Sequence, residues 1–161
     1  MLESWDSFFV AEVGAAAALL GLLFVAISIN LKQMIEAGGL TDRALVALLL
    51  LLAIMVLGLL MSMPDQPSWA LGGETIVISV FTGVIGTVLG LRGLHQADKQ
   101  YWHNFVWNTL TFIATLVLIV IGGLLMFFGG EAGFFWVAVG MCLALVKAVS
   151  EGWIFLVEIN R

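Results

Sequence analysis

FFVAEVGAAAALLGLLFVAISIN, residues Phe8–Asn30, is the stretch that decides the fold class of this chain. Glu12 is its one ionisable residue, and the remaining positions are apolar, small or weakly polar. An α-helix of these 23 residues would be roughly 34 Å long, which is enough to cross the hydrocarbon core of a bilayer with some tilt. The stretch therefore predicts a transmembrane helix.

This first helix has two different faces. The 3.6-residue period places Gly14, Gly21 and Ser28 on one face. Small residues let another helix backbone approach closely, so we predict that this face packs against a helix. Glu12 lies roughly opposite these three residues. A carboxylate within a membrane needs a partner, a proton or water, so Glu12 is a candidate for the polar lining of an ion path.

The composition of the whole chain supports the same fold class. The 161 residues are 62% hydrophobic and only 11% charged, whereas soluble domains are roughly 25% charged. We therefore expect an integral membrane protein, surrounded by the lipid bilayer. The formal net charge of −5 and the lack of a basic patch exclude a nucleic-acid partner. Cys142 is the single cysteine, so an intrachain disulfide is excluded.

Four further apolar runs follow the first. They are residues 44–63, 71–91, 105–128 and 134–157. Together with residues 8–30 they predict one all-α domain, a polytopic membrane protein with five transmembrane helices. The second run carries no charge, and its Leu-rich surface is suited to lipid. In the third run, Gly83, Gly86 and Gly90 form another small-residue face, where we again predict helix packing.

The basic residues predict the orientation of these helices. Five of the six lie in the loops after the first and third runs or at the C-terminal end: Lys32, Arg43, Arg92, Lys99 and Arg161. The N-terminal segment and the other two loops contain no Lys or Arg. Because loops rich in these residues stay in the cytoplasm, the N-terminus is predicted to lie outside and the C-terminus inside.

This orientation places several acids on the outer side, where no base opposes them. Glu12 and Glu74 lie there, about one helical turn inside the membrane. One interpretation is that exported loops are simply poor in bases and that the carboxylates lie near the headgroups. The other is an anionic vestibule that concentrates cations, which requires the carboxylates to converge on a pore or a cavity.

The fifth run contains the residues that are most costly to insert into a membrane. Lys147 and Glu151 are four residues apart and therefore share a helix face. One interpretation is a buried ion pair that sets the rotation of this helix, with Lys147 also reaching Asn108 or a backbone carbonyl. Alternatively, the two residues line a water-filled path or form a proton-labile site.

Motifs for catalysis or metal binding are absent from the sequence. His95 and His103 lie in one loop, but their spacing is not that of a helical zinc motif, and no cysteine joins them. An amphipathic turn at the membrane interface explains this loop better than a metal site does. We therefore predict that the protein is not an enzyme and has neither a metal nor a cofactor.

Four segments together resemble a group of small bacterial inner-membrane proteins: GAAAALLGLLFVAISINL, LTDRALVALLLLL, LGGE and WIFLVEINR. Some members of that group are labelled as modulators of a membrane-bound ATP-dependent protease. The resemblance implies a multi-pass protein of the bacterial inner membrane. It supplies no active-site residues.

Two functions are compatible with these features. The first is an oligomeric cation channel or transport component, which would be a homo-oligomer because five short helices are too few to enclose a pore. The alternative is a noncatalytic scaffold or regulatory subunit, whose small-residue faces bind the helices of a larger membrane complex. The unopposed acids of the outer side favour the channel.

Overall fold

The computed structural model describes residues 2–36, 40–96 and 102–153, and within these ranges the chain is helical with no strand. The five helices are α1 (Leu2–Glu36), α2 (Leu40–Met61), α3 (Ser68–Gln96), α4 (Trp102–Phe127) and α5 (Ala132–Trp153). Each contains a stretch that is long and apolar enough to cross a membrane. The prediction of an all-α protein with five such helices is confirmed, and the predicted end of the last run at 157 lies outside the described residues.

Every helix begins before the apolar run that predicted it, and α1 and α3 also continue past the end of their runs. The helix α1 is 35 residues long, because the polar segments before Phe8 and after Asn30 are also helical. Its last turns contain Leu, Lys, Gln, Met and Glu, which are all good helix formers. Hydrophobicity therefore locates the part of each helix suited to lipid, whereas backbone propensity decides where the helix ends.

Two tight turns join helices in this bundle. After α2, Asp65 has a φ of 58°, and the next helix begins where the amides of Ala70 and Leu71 donate to the carbonyl of Pro67. After α4, Gly129 has a φ of 81°, and the amide of Gly130 donates to the carbonyl of Leu125 at 2.7 Å. This second turn needs glycine, since other residues rarely adopt a positive φ.

The five helices form a closed bundle in chain order. Each helix packs against the next, α5 returns to contact α1, and α2 also contacts α5. Half of the residues in the apolar stretch of α2 and 44% of those in α5 are buried, against 22% in α1 and in α3. The helices α2 and α5 therefore form the centre of the bundle.

The prediction that the Leu-rich surface of the second helix faces lipid is wrong for half of its apolar stretch. Leu50, Ile54 and Leu57 of α2 are almost completely buried. The part of α2 from Ala44 to Met61 has no polar side chain. Such a stretch is equally suited to lipid and to the interior of a helical bundle, so its composition does not distinguish the two. The contacts of the neighbouring helices make that distinction.

Glycines set the closest helix approaches. A Cβ added at Gly122 would lie 2.8 Å from the carbonyl oxygen of Gly133, where α4 and α5 meet. A Cβ at Gly72 would lie 2.5 Å from the carbonyl oxygen of Gly123, where α3 and α4 meet. Side chains at these positions would force the backbones apart.

Candidate functional site

A charged cluster joins three helices near one end of the bundle. It consists of Arg43 from α2, Asn108 from α4, and Lys147 and Glu151 from α5. Arg43 donates from Nε and Nη2 to Oε2 of Glu151, at 3.2 and 2.8 Å. Lys147 Nζ lies 3.5 Å from Oε1 of the same carboxylate. One carboxylate therefore has two cationic partners, one on its own helix and one on α2.

Lys147 also binds α4. Its Nζ donates to the backbone carbonyl of Asn108 at 3.1 Å, to Asn108 Oδ1 and, more weakly, to Thr111 Oγ1 at 3.4 Å. The expectation that Lys147 pairs with Glu151 and reaches Asn108 or a carbonyl is confirmed. Its ammonium is surrounded by oxygen acceptors, which replace the water that it loses on burial.

Arg43 is the member of the charged cluster that sequence reasoning missed. At the sequence level it served only as a marker of orientation, because it lies beside the loop that follows the first apolar run. In the structure, only 15% of its side chain is exposed, and it binds Glu151, which is 108 positions later. The available signal was an arginine in the first turn of an apolar helix, but its partner depends on which helices are neighbours.

A small cavity lies beside the charged cluster, between α2, α3, α4 and α5. Its volume is about 20 Å³. The polar side chains that line it are Arg43, Asn108, Thr109 and Glu151. A cavity of this size has space for about one water molecule. It lies near one end of the bundle, and it is too small to be a pore.

Glu12 lies elsewhere in the bundle, between α1 and α5. Only 5% of the residue is exposed, and Cys142 Sγ donates to its Oε1 at 3.1 Å. The second oxygen, Oε2, is buried and has no hydrogen-bond partner. The face of α1 that carries Glu12 is thus the buried face, and it also includes Ala16 and Leu23.

Glu74 has a different environment at the start of α3. It is partly buried, and Nε2 of Gln66 donates to both of its carboxylate oxygens at 3.2 and 3.1 Å. Gln66 belongs to the turn between α2 and α3. The hydrogen bonds of the described residues therefore give Glu12 and Glu74 separate partners, and a vestibule lined by both stays a prediction.

The two small-residue faces differ in what they contact. Gly86 and Gly90 of α3 lie against Phe112 and Thr109 of α4, and Gly83 faces Leu116. That face packs inside the bundle.

Within the part of the chain that the structure describes, the small-residue face of α1 has no such neighbour. Nothing lies within 4 Å of a Cβ added at Gly14 or Gly21, and Ser28 is exposed, with its hydroxyl donating to the carbonyl of Phe24. Packing of this face against a helix of another molecule stays a prediction.

Among the described residues, no group of three or more His, Cys, Asp and Glu could hold a metal ion. The predicted loop cation Lys99 and the terminal Arg161 lie outside the described residues, as do the side chains of His95 and His103. Comparisons of this chain with protein-family models, with curated proteins and with solved structures find no match. Its function is therefore argued from its own residues.

Proposed function

We propose that this chain is a noncatalytic, multi-pass membrane protein that acts as a scaffold or regulatory subunit by binding helices of other membrane proteins. One observation carries the proposal. Glu151 is bound by Arg43 and Lys147 inside the bundle, whereas among the described residues nothing lies within 4 Å of a Cβ added at Gly14 or Gly21 on the outward face of α1. The ionic groups thus connect helices within the bundle, and the outward face of α1 is a surface to which a partner helix can bind.

Over three helical turns, the exposed residues of α1 all have small side chains. Its exposed residues there are Ala11, Gly14, Ala15, Ala17, Ala18 and Gly21. Larger exposed side chains return at Leu22, Phe24 and Val25. In a bilayer, close backbone contact over Gly and Ala supplies the dispersion energy that drives helix association, because lipid is as apolar as the side chains are.

We propose the orientation in which the N-terminus lies outside and the C-terminus inside a bacterial inner membrane. The end of α1, the start of α2 and the end of α3 carry Lys32, Arg43 and Arg92. Because α1 and α2 are consecutive packed helices joined by a short connection, as α2 and α3 are, these three bases belong to one end of the bundle. A basic end is retained in the cytoplasm.

The cation channel receives less support from the geometry. Lys147 and Glu151 bind each other, Asn108 and Arg43. The cavity beside them has space for about one water molecule. A channel would therefore need a pore between subunits, and the exposed residues of α1 between Ala11 and Gly21 include no carboxylate to line it.

The proposal is tested by the mass of the protein extracted in native-lipid particles, with any bound partners identified. Gly21→Leu should reduce the mass of the assembly, because a leucine would hold a partner helix away. Ala114→Leu is the matched control, since Ala114 is an exposed small residue on α4. Equal assembly of both variants and the wild type would refute α1 as the binding surface.

A conductance measurement distinguishes the two candidate functions. Wild-type protein reconstituted in planar bilayers should carry no cation current if the scaffold proposal is correct. A reproducible current that falls in Glu12→Gln, most strongly at low ionic strength, would favour the channel instead.

A further inference from the structure

Glu12 and Cys142 form a site that the proposed scaffold function does not use. We propose that the Glu12 carboxyl group, held between α1 and α5 beside the Cys142 thiol, binds one exchangeable proton. This inference goes beyond the proposed function and does not depend on it. It assigns an ionisable site to a bundle whose other buried carboxylate, Glu151, is already paired.

The geometry gives one oxygen of Glu12 a partner and leaves the other without one. Cys142 Sγ lies 3.1 Å from Oε1, whereas Oε2 is buried without a hydrogen bond. Removing a carboxylate oxygen from water without a replacement donor is costly, and a full negative charge makes the cost larger. A proton on this group removes the charge and leaves a neutral acid in a mostly apolar environment.

The described charged groups of the neighbouring helices do not neutralise a negative charge on Glu12. The helix α1 packs against α2 and α5. Gly58 of α2 lies beside Phe9 and Val13, which flank Glu12 on α1. Arg43 is 15 residues earlier on α2, about 22 Å along the helix, with Asp42 next to it.

On α5, the nearest ionisable groups are bound elsewhere. Lys147 is five residues after Cys142, and its ammonium binds α4 and Glu151. Glu151 in turn binds Arg43. On α1 itself, Asp6 is exposed and acidic, and Lys32 and Glu36 lie at the opposite end. No cation of the described chain is within ion-pair distance of Glu12.

The Glu12 carboxyl group and the Cys142 thiol are better suited to binding a proton than to binding a metal cation. Sodium and divalent ions need several oxygen ligands, but within the described residues the only hydrogen-bond partner of the Glu12 carboxyl group is the Cys142 thiol. A thiol is a weak ligand for hard cations. A proton needs one oxygen, and the thiol can donate to the other.

An apolar carbodiimide in lipid tests the site directly. Cys142 is exposed on the surface of the single chain, so a reagent dissolved in the membrane reaches the junction of α1 and α5. The protonated carboxyl adds across a C=N bond of the carbodiimide: its oxygen bonds to carbon and its proton goes to nitrogen. Rearrangement then gives a stable N-acylurea that retains every atom of the reagent.

We expect one adduct on the Glu12 peptide, found by mass spectrometry of protein in lipid nanodiscs. Above the midpoint of its titration, the labelling rate should fall about tenfold per pH unit, as the protonated fraction does. Glu12→Gln should lose the adduct. Glu74→Gln is the matched control and should keep it, and Cys142→Ala should also keep it, which excludes a thiol adduct.

Infrared spectroscopy supplies a measurement that needs no reagent. Wild-type protein should show the carbonyl band of a protonated carboxylic acid, which disappears as pH is raised and is missing in Glu12→Gln. Absence of this Glu12 band at every pH would overturn the proposal, whatever the carbodiimide does. Loss of the band on adding sodium at constant pH would also overturn it, since the site would then hold a metal cation.

Discussion

Removing the charged groups of the cluster one at a time should produce a specific order of stability losses. The variants Glu151→Gln, Arg43→Met and Lys147→Met each remove one charge at similar side-chain volume. Glu151 accepts two hydrogen bonds from Arg43 and lies near Lys147. Its replacement therefore removes the carboxylate that is shared by two cations, whose side chains are only 15% and 10% exposed.

The expected magnitudes follow from these contacts. Breaking a buried ion pair by removing one partner costs about 3–5 kcal/mol, and we expect Glu151→Gln to reach that range. Lys147→Met should cost about 1–3 kcal/mol, the penalty for leaving the acceptors of Asn108 unsatisfied, because Glu151 keeps Arg43. The stability lost in Arg43→Met should lie between these two values. The remaining partner of Glu151 is then Lys147, whose Nζ lies 3.5 Å from Oε1 of the carboxylate.

Combined variants test the same reasoning. Lys147→Met with Glu151→Gln should not restore stability, because the largely buried Arg43 would still lose its two hydrogen bonds to the Glu151 carboxylate. The triple variant, which also contains Arg43→Met, removes every charge of the cluster and should recover most of the loss. The assay is the free energy of reversible unfolding in mixed micelles or bicelles. The reasoning would be refuted if Lys147→Met cost as much as Glu151→Gln, or if the double variant were as stable as the triple one.

Three further predictions concern topology and packing. A cysteine at Ser68 should react with an impermeant thiol reagent added outside intact cells, and one at Gln33 should not; reaction of the latter would reverse the proposed orientation. Gly122→Ala should destabilise the bundle, because its Cβ would collide with α5, whereas Gly14→Ala should raise stability by up to about 1 kcal/mol through helix propensity; a chemical unfolding series compares the two. Glu74→Gln should change stability by less than about 1 kcal/mol, as expected for a partly exposed contact, and a larger loss in the same series would mean that Glu74 has a buried role.

Much of the charged cluster could be predicted from the sequence. Lys147 and Glu151 are four residues apart, so the helical period alone places them together, and the cost of a charge in a membrane requires acceptors such as Asn108 nearby. Arg43 could not be assigned to the same cluster. Its contact with Glu151 spans 108 positions and exists only because α2 and α5 are neighbours at the centre of the bundle.

The two faces of α1 illustrate the same division. The helical period places Glu12 on a different face of α1 from Gly14 and Gly21. It does not decide which face is buried, because a carboxylate needs a partner inside the protein and small residues allow close helix packing. The structure buries Glu12 and leaves both glycines exposed. Periodicity shows which residues lie together on a helix, and the neighbouring helices decide which of the faces points inward.

The sequence by itself determined the five helices, because an apolar run of sufficient length satisfies its backbone hydrogen bonds in only one local way within lipid. It also determined the basic and acidic ends of those helices. Only the tertiary structure decided that α2 is central, that Arg43 joins Glu151 and that Glu12 meets Cys142. The physical reason is that lipid and helix interior are nearly equal in polarity, so hydrophobicity does not choose between them. That choice depends on shape, close glycine contacts and the pairing of a few polar groups across helices.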